Sequence, residues 1–127
     1  LETFTNGLTA KGIDVGKTSR LGLLHISQGQ DTPQAMAGYL AHTAACSSGR
    51  LRIFGDMTWV KERDWSLDAI RQLEEMGKDS PPVPGCLCLC QYSLTAFSGE
   101  EAMMAAETHR HTLYKGTMRQ SPYFTVH

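Results

Sequence analysis

Leu51-Arg-Ile-Phe-Gly-Asp-Met57 is the stretch of sequence that decides the fold, because its apolar side chains run almost without interruption into a glycine and an acid. Such a run is typical of a strand that is buried in a parallel sheet and ends at a loop. Two similar runs flank it, Leu21-Gly-Leu-Leu-His-Ile-Ser27 and Cys86-Leu-Cys-Leu-Cys-Gln-Tyr92. We therefore predict three strands here, with a weaker fourth strand at Thr112-Leu-Tyr-Lys115.

Segments with helical periodicity separate the predicted strands. Asp31 or Thr32 caps the first helix, and Ser98 caps the last. The predicted helices run from Pro33 to the stop at Ser47-Ser-Gly49, from Trp65 to Met76, and from Gly99 to about Thr108. Pro81-Pro-Val-Pro-Gly85 breaks the chain after the second helix, and residues 1–20 are predicted to be the end of a helix followed by a loop. The alternation of strands and helices predicts an α/β fold, a three-layer sandwich with a mostly parallel sheet.

The length and composition limit the classes of protein to which the chain can belong. Its 127 residues fit one domain, so we treat residues 1–127 as a single unit. With 12 basic and 13 acidic residues the net charge is -1, which argues against direct binding to nucleic acid or to an anionic membrane. No apolar run of about 18 residues and no signal-peptide pattern occur, so we expect a cytoplasmic protein.

Gly12-Ile-Asp-Val-Gly-Lys-Thr18 ends as a phosphate-binding loop does, but its spacing is wrong. That loop needs four residues between its first glycine and the Gly-Lys pair, whereas three residues separate Gly12 from Gly16. We interpret the segment as an exposed turn after a helix, which weighs against an ATPase in which Asp56 would hold magnesium. No nucleophile has an evident base and orienting partner either, so we expect neither catalysis nor a cofactor.

Three cysteines alternate along the third predicted strand, in Cys86-Leu-Cys-Leu-Cys90. Together with Cys46, His109 and His111 they suggest a metal or redox centre. Alternate residues of a strand lie about 6.6 Å apart, which is farther than two thiolates on one zinc ion are from each other. We therefore predict that the three cysteines are reduced, free of metal and largely buried. A thiol-based metal or redox sensor is the alternative.

Polar and aromatic side chains follow the second and third predicted strands at the points where they end. Asp56 and Trp59 follow the second strand, and Gln91 and Tyr92 close the third. Ligands of open parallel sheets bind at the carboxyl ends of the strands, so these four residues are candidate ligand contacts. The alternative is structural, with Asp56 capping a turn and Trp59 filling the edge of the core.

Four strings, in this order, make the sequence similar to a known family, the MEDS domain, which is the methanogen/methylotroph DcmR sensory domain. The strings that resemble the family are Gly12-Ile-Asp-Val15, Leu51-Arg-Ile-Phe-Gly-Asp-Met-Thr-Trp59, Cys90-Gln-Tyr92 and Thr108-His109. The resemblance covers about residues 10–124. It implies a RecA-like α/β fold without a working phosphate-binding loop.

The resemblance also implies a non-enzymatic sensor of small organic molecules, one-carbon or derived from hydrocarbons, that is coupled to a transcriptional regulator or a histidine kinase. We add His109 to the candidate ligand contacts, which are then Asp56, Trp59, Gln91, Tyr92 and His109. The sequence departs from the family at Ser93, where the family has Asp, and lacks roughly half a domain before the Gly-Ile-Asp-Val turn. We therefore expect an incomplete sheet with an open edge, and a homodimer or a shortened paralogue. The alternative function is an interaction module that docks a partner or a second copy without any ligand.

Overall fold

The computed structural model describes residues 2–47, 50–79 and 85–125. The helices in these ranges are α1 (Glu2–Ala10), α2 (Val15–Arg20), α3 (Pro33–Cys46), α4 (Trp59–Glu62), α5 (Leu67–Asp79) and α6 (Gly99–Thr108). The strands are β1 (Leu51–Asp56), β2 (Cys86–Gln91), β3 (His111–Tyr114) and β4 (Thr117–Gln120). None of these helices is long and apolar enough to cross a membrane. Residues 48–49 and 81–84, where the sequence predicts a helix stop and a chain break, lie outside the described residues.

β1 and β2 pair in parallel, which makes the chain a mixed α/β protein with a small parallel sheet. The register joins Leu51 to Cys86 and Asp56 to Gln91, so both strands end at the same edge. The prediction of these two strands is confirmed to within one residue at each end. α4 and α5 form the crossover between them.

The helices that follow capping residues are also confirmed. Thr32 caps α3 by accepting a hydrogen bond from the backbone N–H of Ala35 at 3.1 Å, and Pro33 occupies the first turn. Ser98 and Glu101 form a reciprocal capping box at the start of α6. The predicted helix from Trp65 begins two residues later, at Leu67.

The prediction of a strand at Leu21–Ser27 is wrong. Gly22 has a φ of 72° and ends α2, because the backbone N–H groups of Gly22 and Leu23 donate to the carbonyls of Ser19 and Thr18. This Schellman arrangement turns the chain back over the helix end instead of extending it. Leu21 and Leu23 are then 61% and 74% exposed, so the apolar run that indicated a buried strand is not buried among the described residues.

Gly12 and Asp14 join α1 to α2, where the sequence analysis expected a loop. Gly12, with a φ of 85°, ends α1 by the same arrangement, since its N–H donates to the Thr9 carbonyl. The Asp14 carboxylate then caps α2 by accepting a hydrogen bond from the Lys17 N–H at 3.0 Å. The Gly-Lys-Thr string therefore lies within a helix whose N-terminal end already carries a carboxylate.

The weak fourth strand is present at His111–Tyr114, but it is not part of the parallel sheet. It pairs antiparallel with β4, and Lys115 and Gly116 form the turn between them with φ values of 50° and 76°. Two positive φ values match the twist of a two-residue hairpin. The Ser121 hydroxyl then donates to the Ala106 carbonyl of α6 at 2.5 Å and holds the hairpin against that helix.

The hydrophobic core lies between the helices and one face of the β1–β2 sheet. Its buried side chains are Met57, Val60, Trp65, Ile70, Leu73, Phe97 and Met104. Cys90 of β2 and Tyr92, which follows β2, pack against this group. α5 packs on both α3 and α6, so these helices form one layer over the sheet.

The other face of the sheet is largely bare. Phe54, Leu87 and Leu89 point there and are 52%, 61% and 46% exposed. In the part of the chain that the structure describes, no helix covers these side chains. The observed arrangement therefore has two layers, and the third layer predicted from the sequence is not seen in these ranges.

Candidate functional site

Asp56 and Trp59 lie at the end of β1, where the sequence analysis placed them, but both make local structural contacts. The Asp56 carboxylate accepts hydrogen bonds from the backbone N–H of Thr58 at 3.1 Å and from its hydroxyl at 2.8 Å. The Trp59 ring packs edge-on against Trp65 at 4.9 Å and covers Gly29, where an added Cβ would collide with the indole. These contacts fix the turn into α4.

Gln91 and Tyr92 end β2 on opposite faces. Gln91 is exposed and lies on the bare face, next to Leu89. Tyr92 lies on the helical side, where its ring is 4.9 Å from Phe97 and 6.4 Å from the His109 ring. Of the five predicted contacts, the structure thus brings Tyr92 and His109 together, leaves Gln91 next to them on the other face, and holds Asp56 and Trp59 in other contacts.

His109 pairs with the buried carboxylate of Glu74 on α5, a residue that was not predicted from the sequence. The distance from His109 Nε2 to Glu74 Oε2 is 2.8 Å, and the Glu74 side chain is only 8% exposed. On the other side of the ring, His109 Nδ1 lies 2.8 Å from the Ala105 carbonyl. A carbonyl only accepts hydrogen bonds, so Nδ1 carries a proton and Nε2 is the nitrogen that faces Glu74.

Two cysteines complete this group, and they correct the sequence prediction. Cys88 is exposed and Cys86 and Cys90 are half-buried, so the expectation that all three are largely buried is wrong. The sulfurs of Cys88 and Cys90 are 3.8 Å apart. The two side chains lean towards each other, which the spacing of the strand backbone did not predict. We call Glu74, Cys88, Cys90, Tyr92 and His109 the edge cluster.

The electrostatics of the edge cluster follow from burial and from these close contacts. Burial alone would lower the pKa of His109, but its hydrogen bond and its attraction to Glu74 outweigh burial and raise the pKa. Burial, and then the nearby Glu74 carboxylate, raise the pKa of Tyr92. The Tyr92 hydroxyl is buried, and among the described residues no acceptor or donor lies in hydrogen-bonding geometry to it. Glu74 is nevertheless close enough to raise the pKa of Tyr92.

The contact between the two thiols shifts their pKa values in opposite directions. The hydrogen bond with Cys90 lowers the pKa of Cys88, although burial opposes this effect. The same hydrogen bond, and then burial, raise the pKa of Cys90. Cys88 is therefore the thiol that ionises first, and Cys90 is the thiol that keeps its proton.

A shallow groove of about 270 Å³ opens beside β2. Its lining residues are Phe54, Leu89, Cys90, Gln91, Tyr92 and Leu113. Three of these, Phe54, Leu89 and Leu113, are large apolar side chains that are about half exposed. The groove lies between the β1–β2 sheet and the β3–β4 hairpin, next to the edge cluster.

Glu74 was missed because its role depends on neighbours that are distant in sequence. One signal was available: Glu74 lies four residues after Ile70 and next to Leu73, on the apolar stripe of its helix. A carboxylate at such a position is buried and needs a partner, so it marks a candidate site. The sequence pattern does single out Cys88, but it predicts a buried side chain in the core.

The fold and the site define a class of protein, an α/β domain with polar groups and a groove at the carboxyl ends of its parallel strands. A protein-family model, "MEthanogen/methylotroph, DcmR Sensory domain" (MEDS), matches residues 1–110, and the chain therefore belongs to this family. The resemblance to this family is thus confirmed, although the family model matches residues 1–110 and the four strings predict a match over about residues 10–124. The family is one of sensory domains. Searches of the curated proteins and of the solved structures gave no match.

Proposed function

We propose that the chain is a non-enzymatic sensory domain whose small organic ligand occupies the groove beside β2. The observation that carries this proposal is the half-exposed apolar wall formed by Phe54, Leu89 and Leu113 beside the exposed amide of Gln91. Ligand sites combine mostly apolar walls with a few polar groups in this way.

The size of the groove supports a ligand of few atoms. Pockets for drug-sized molecules are about 300–1,000 Å³, whereas this groove measures about 270 Å³ and is open to solvent. A one-carbon compound or a short hydrocarbon derivative fits this volume. Gln91, which is exposed on this face, would hydrogen-bond its polar atom.

The mechanism would be a shift between two conformations. The groove lies between the β1–β2 sheet and the β3–β4 hairpin. A ligand there therefore favours the conformation in which the sheet and the hairpin both contact the ligand. Such a ligand biases an output only through its different affinities for the two states. Asp56 and Trp59 would contribute by holding the turn after β1, and His109 by its position next to Tyr92.

The proposal extends to the setting of the domain. The output would be a transcriptional regulator or a histidine kinase in the cytoplasm, where thiols such as Cys88 stay reduced. The fold would be RecA-like, with the position of the third layer of the sandwich, over Phe54, Leu87 and Leu89, left open for the ligand or for a second copy. The family membership and the bare sheet face support this arrangement.

The experiment is titration of the ¹⁵N-labelled protein with methanol, methylamine and a halogenated methane, followed by amide shifts. We expect saturable shifts around Leu89, Gln91 and Leu113 with at least one probe, and at least tenfold weaker binding by Leu89→Ser. Leu87→Ser is the matched control, because Leu87 lies on the same face of β2 and does not line the groove. Saturable shifts confined to other regions, or equal losses in both variants, would count against the groove.

The same bare face favours a second candidate function, association with a second copy of this chain. Its observation is the apolar surface of Leu87, which is 61% exposed on a sheet of two strands. Sedimentation at several concentrations tests it, with and without the same probes. Association that Leu87→Ser abolishes and that no probe alters favours this function, and a monomer at all concentrations excludes it.

A further inference from the structure

We propose that the edge cluster binds a thiophilic divalent cation of the zinc type through Cys88, Cys90, His109 and Glu74. This site goes beyond the organic ligand proposed above and does not depend on it. It replaces the sequence-based expectation that these cysteines bind no metal, because their sulfurs are 3.8 Å apart and Cys90 lies next to Glu74 and His109. The groove and the cation site meet at Cys90 and Tyr92, but Leu89 and Gln91 lie on the other face of β2. Each site can therefore be present without the other.

The ligand atoms are already close together. One oxygen of Glu74, the sulfur of Cys90 and one ring nitrogen of His109 all lie within 4.8 Å of one another. These residues come from α5, from β2 and from the position after α6. Three potential ligand atoms from three different elements thus lie close together in space.

The two sulfurs have the separation that a tetrahedral ion requires. Two thiolates at about 2.3 Å from zinc, at the tetrahedral angle, are about 3.8 Å apart. The sulfurs of Cys88 and Cys90 are 3.8 Å apart. Cys88 lies outside the group of three atoms that are within 4.8 Å of one another, so we assign it as the fourth ligand, which reaches the ion by a movement of its exposed side chain.

The histidine is oriented as a metal ligand. Metal-binding histidines commonly donate the other ring N–H to a carbonyl or carboxylate, which fixes the ring. His109 Nδ1 lies 2.8 Å from the Ala105 carbonyl, so Nε2 faces Glu74, and a ring nitrogen lies within 4.8 Å of the Cys90 sulfur. A bound ion would take the place of the proton between Nε2 and the carboxylate, and these atoms would separate from 2.8 Å to about 3.3 Å.

The ligand set selects the class of cation. Two thiolates, one imidazole and one carboxylate suit zinc and related borderline-soft ions, whereas magnesium and calcium prefer oxygen ligands alone. The protons of the thiols and of the imidazole are released to solvent when the ion binds. Four protein ligands make a closed site, whose role is to hold α5, β2 and the end of α6 together.

The test uses Co²⁺ as a spectroscopic probe and Zn²⁺ in competition with a chromophoric chelator, on reduced protein without any organic probe. We expect one equivalent of Co²⁺ with thiolate-to-cobalt charge-transfer absorption, displaced by Zn²⁺. Cys88→Ser, Cys90→Ser and His109→Gln should each weaken Zn²⁺ binding by more than about 100-fold, since loss of an outer partner alone costs about 10–100-fold. Cys86→Ser is the matched control on the same strand.

A second cysteine–histidine pair lies on α3, where the Cys46 sulfur is 3.6 Å from His42 Nε2, and it serves as a control for binding elsewhere. Cys46→Ser should leave binding unchanged, and if it abolishes binding the proposal is wrong. Binding that persists in Cys88→Ser and His109→Gln, or no stoichiometric Co²⁺ or Zn²⁺ at all, also overturns it. Cys90 packs against the core, so Cys90→Ser is the variant most at risk of not folding. In that case Cys88→Ser tests the site, because Cys88 is exposed. Repeating the amide-shift titration with the chelator present separates failure of this site from failure of the groove.

Discussion

The two faces of the β1–β2 sheet carry different kinds of side chain and have different surroundings. The face with Cys90, followed by Tyr92, packs on the helical core and borders the buried carboxylate of Glu74, which pairs with His109. The face with Phe54 and Leu87 leaves its apolar side chains about half exposed. Burial of apolar area is the main source of folding free energy, so the helical side supplies the stability of this domain. The bare side is therefore free to serve binding.

The largest effect on the free energy of unfolding should come from a substitution in the core, on the helical side of the sheet. Ile70→Ala removes a side chain that is 0% exposed, and we expect it to lower the free energy of unfolding by about 2–5 kcal/mol. Leu87→Ala on the bare face should change it by less than about 0.5 kcal/mol. Urea denaturation followed by circular dichroism measures both. Equal losses would mean that a covering layer buries the bare face in solution.

A smaller effect should come from the ion pair that links the helices. The Lys61 ammonium donates to the buried carboxylate of Glu101 at 2.6 Å, and the Ser98 N–H donates to the same carboxylate. Burial alone would raise the pKa of Glu101, but these hydrogen bonds outweigh it and lower the pKa below 4.5. We expect Glu101→Gln to cost about 1–3 kcal/mol at neutral pH.

The pH dependence of that loss follows from the sign of the shift. Because the pKa of Glu101 is lower in the folded state, its contribution is complete above the unfolded value of 4.5 and is lost as the pH falls through the folded pKa. Wild type and Glu101→Gln should therefore converge in stability below that pH. Glu100→Gln on the exposed side of the same turn is the control. A difference that persists undiminished in acid would contradict the assignment.

The smallest expected effect is a difference in the alkylation rates of the four thiols, which follows their exposure. With a chelator present, alkylation followed by peptide mapping should label the exposed Cys46 and Cys88 several-fold faster than the half-buried Cys86 and Cys90. All four should label quickly in urea. Uniformly slow labelling of the three strand cysteines would instead restore the interpretation that they belong to the core.

The sequence predicted the elements whose signals are local. β1 and β2 stood out as apolar runs bounded by turns, and Ser98 with Glu101 marked the start of α6. The strand at Leu21–Ser27 failed because Gly22 is used to end a helix, a choice that an apolar run does not reveal. β3 was predicted as a weak strand, but its partner β4 was missed because Lys115-Gly116 is a weaker turn signal than Asn-Gly.

The edge cluster was predicted only in part, because two of its members join it through contacts that form in the folded structure. Tyr92 and His109 were identified as groups at strand and helix ends, and the structure places them together. Glu74 joins them only through the packing of α5 on α6, and Cys88 only through the lean of its side chain towards Cys90. Both depend on contacts between elements, which periodicity does not record.

The parallel register of β1 and β2 has a consequence for how the protein persists in a cell. The β3–β4 hairpin has a two-residue turn and is of a kind that forms within microseconds, whereas β1 and β2 meet only after the whole crossover has closed. The edge cluster joins α5, β2 and the end of α6, so it exists only in the finished fold. Anything bound there stabilises that state by mass action and reduces the open population on which proteases act. The abundance of this protein would then rise with the supply of its ligand, before any partner has received a signal.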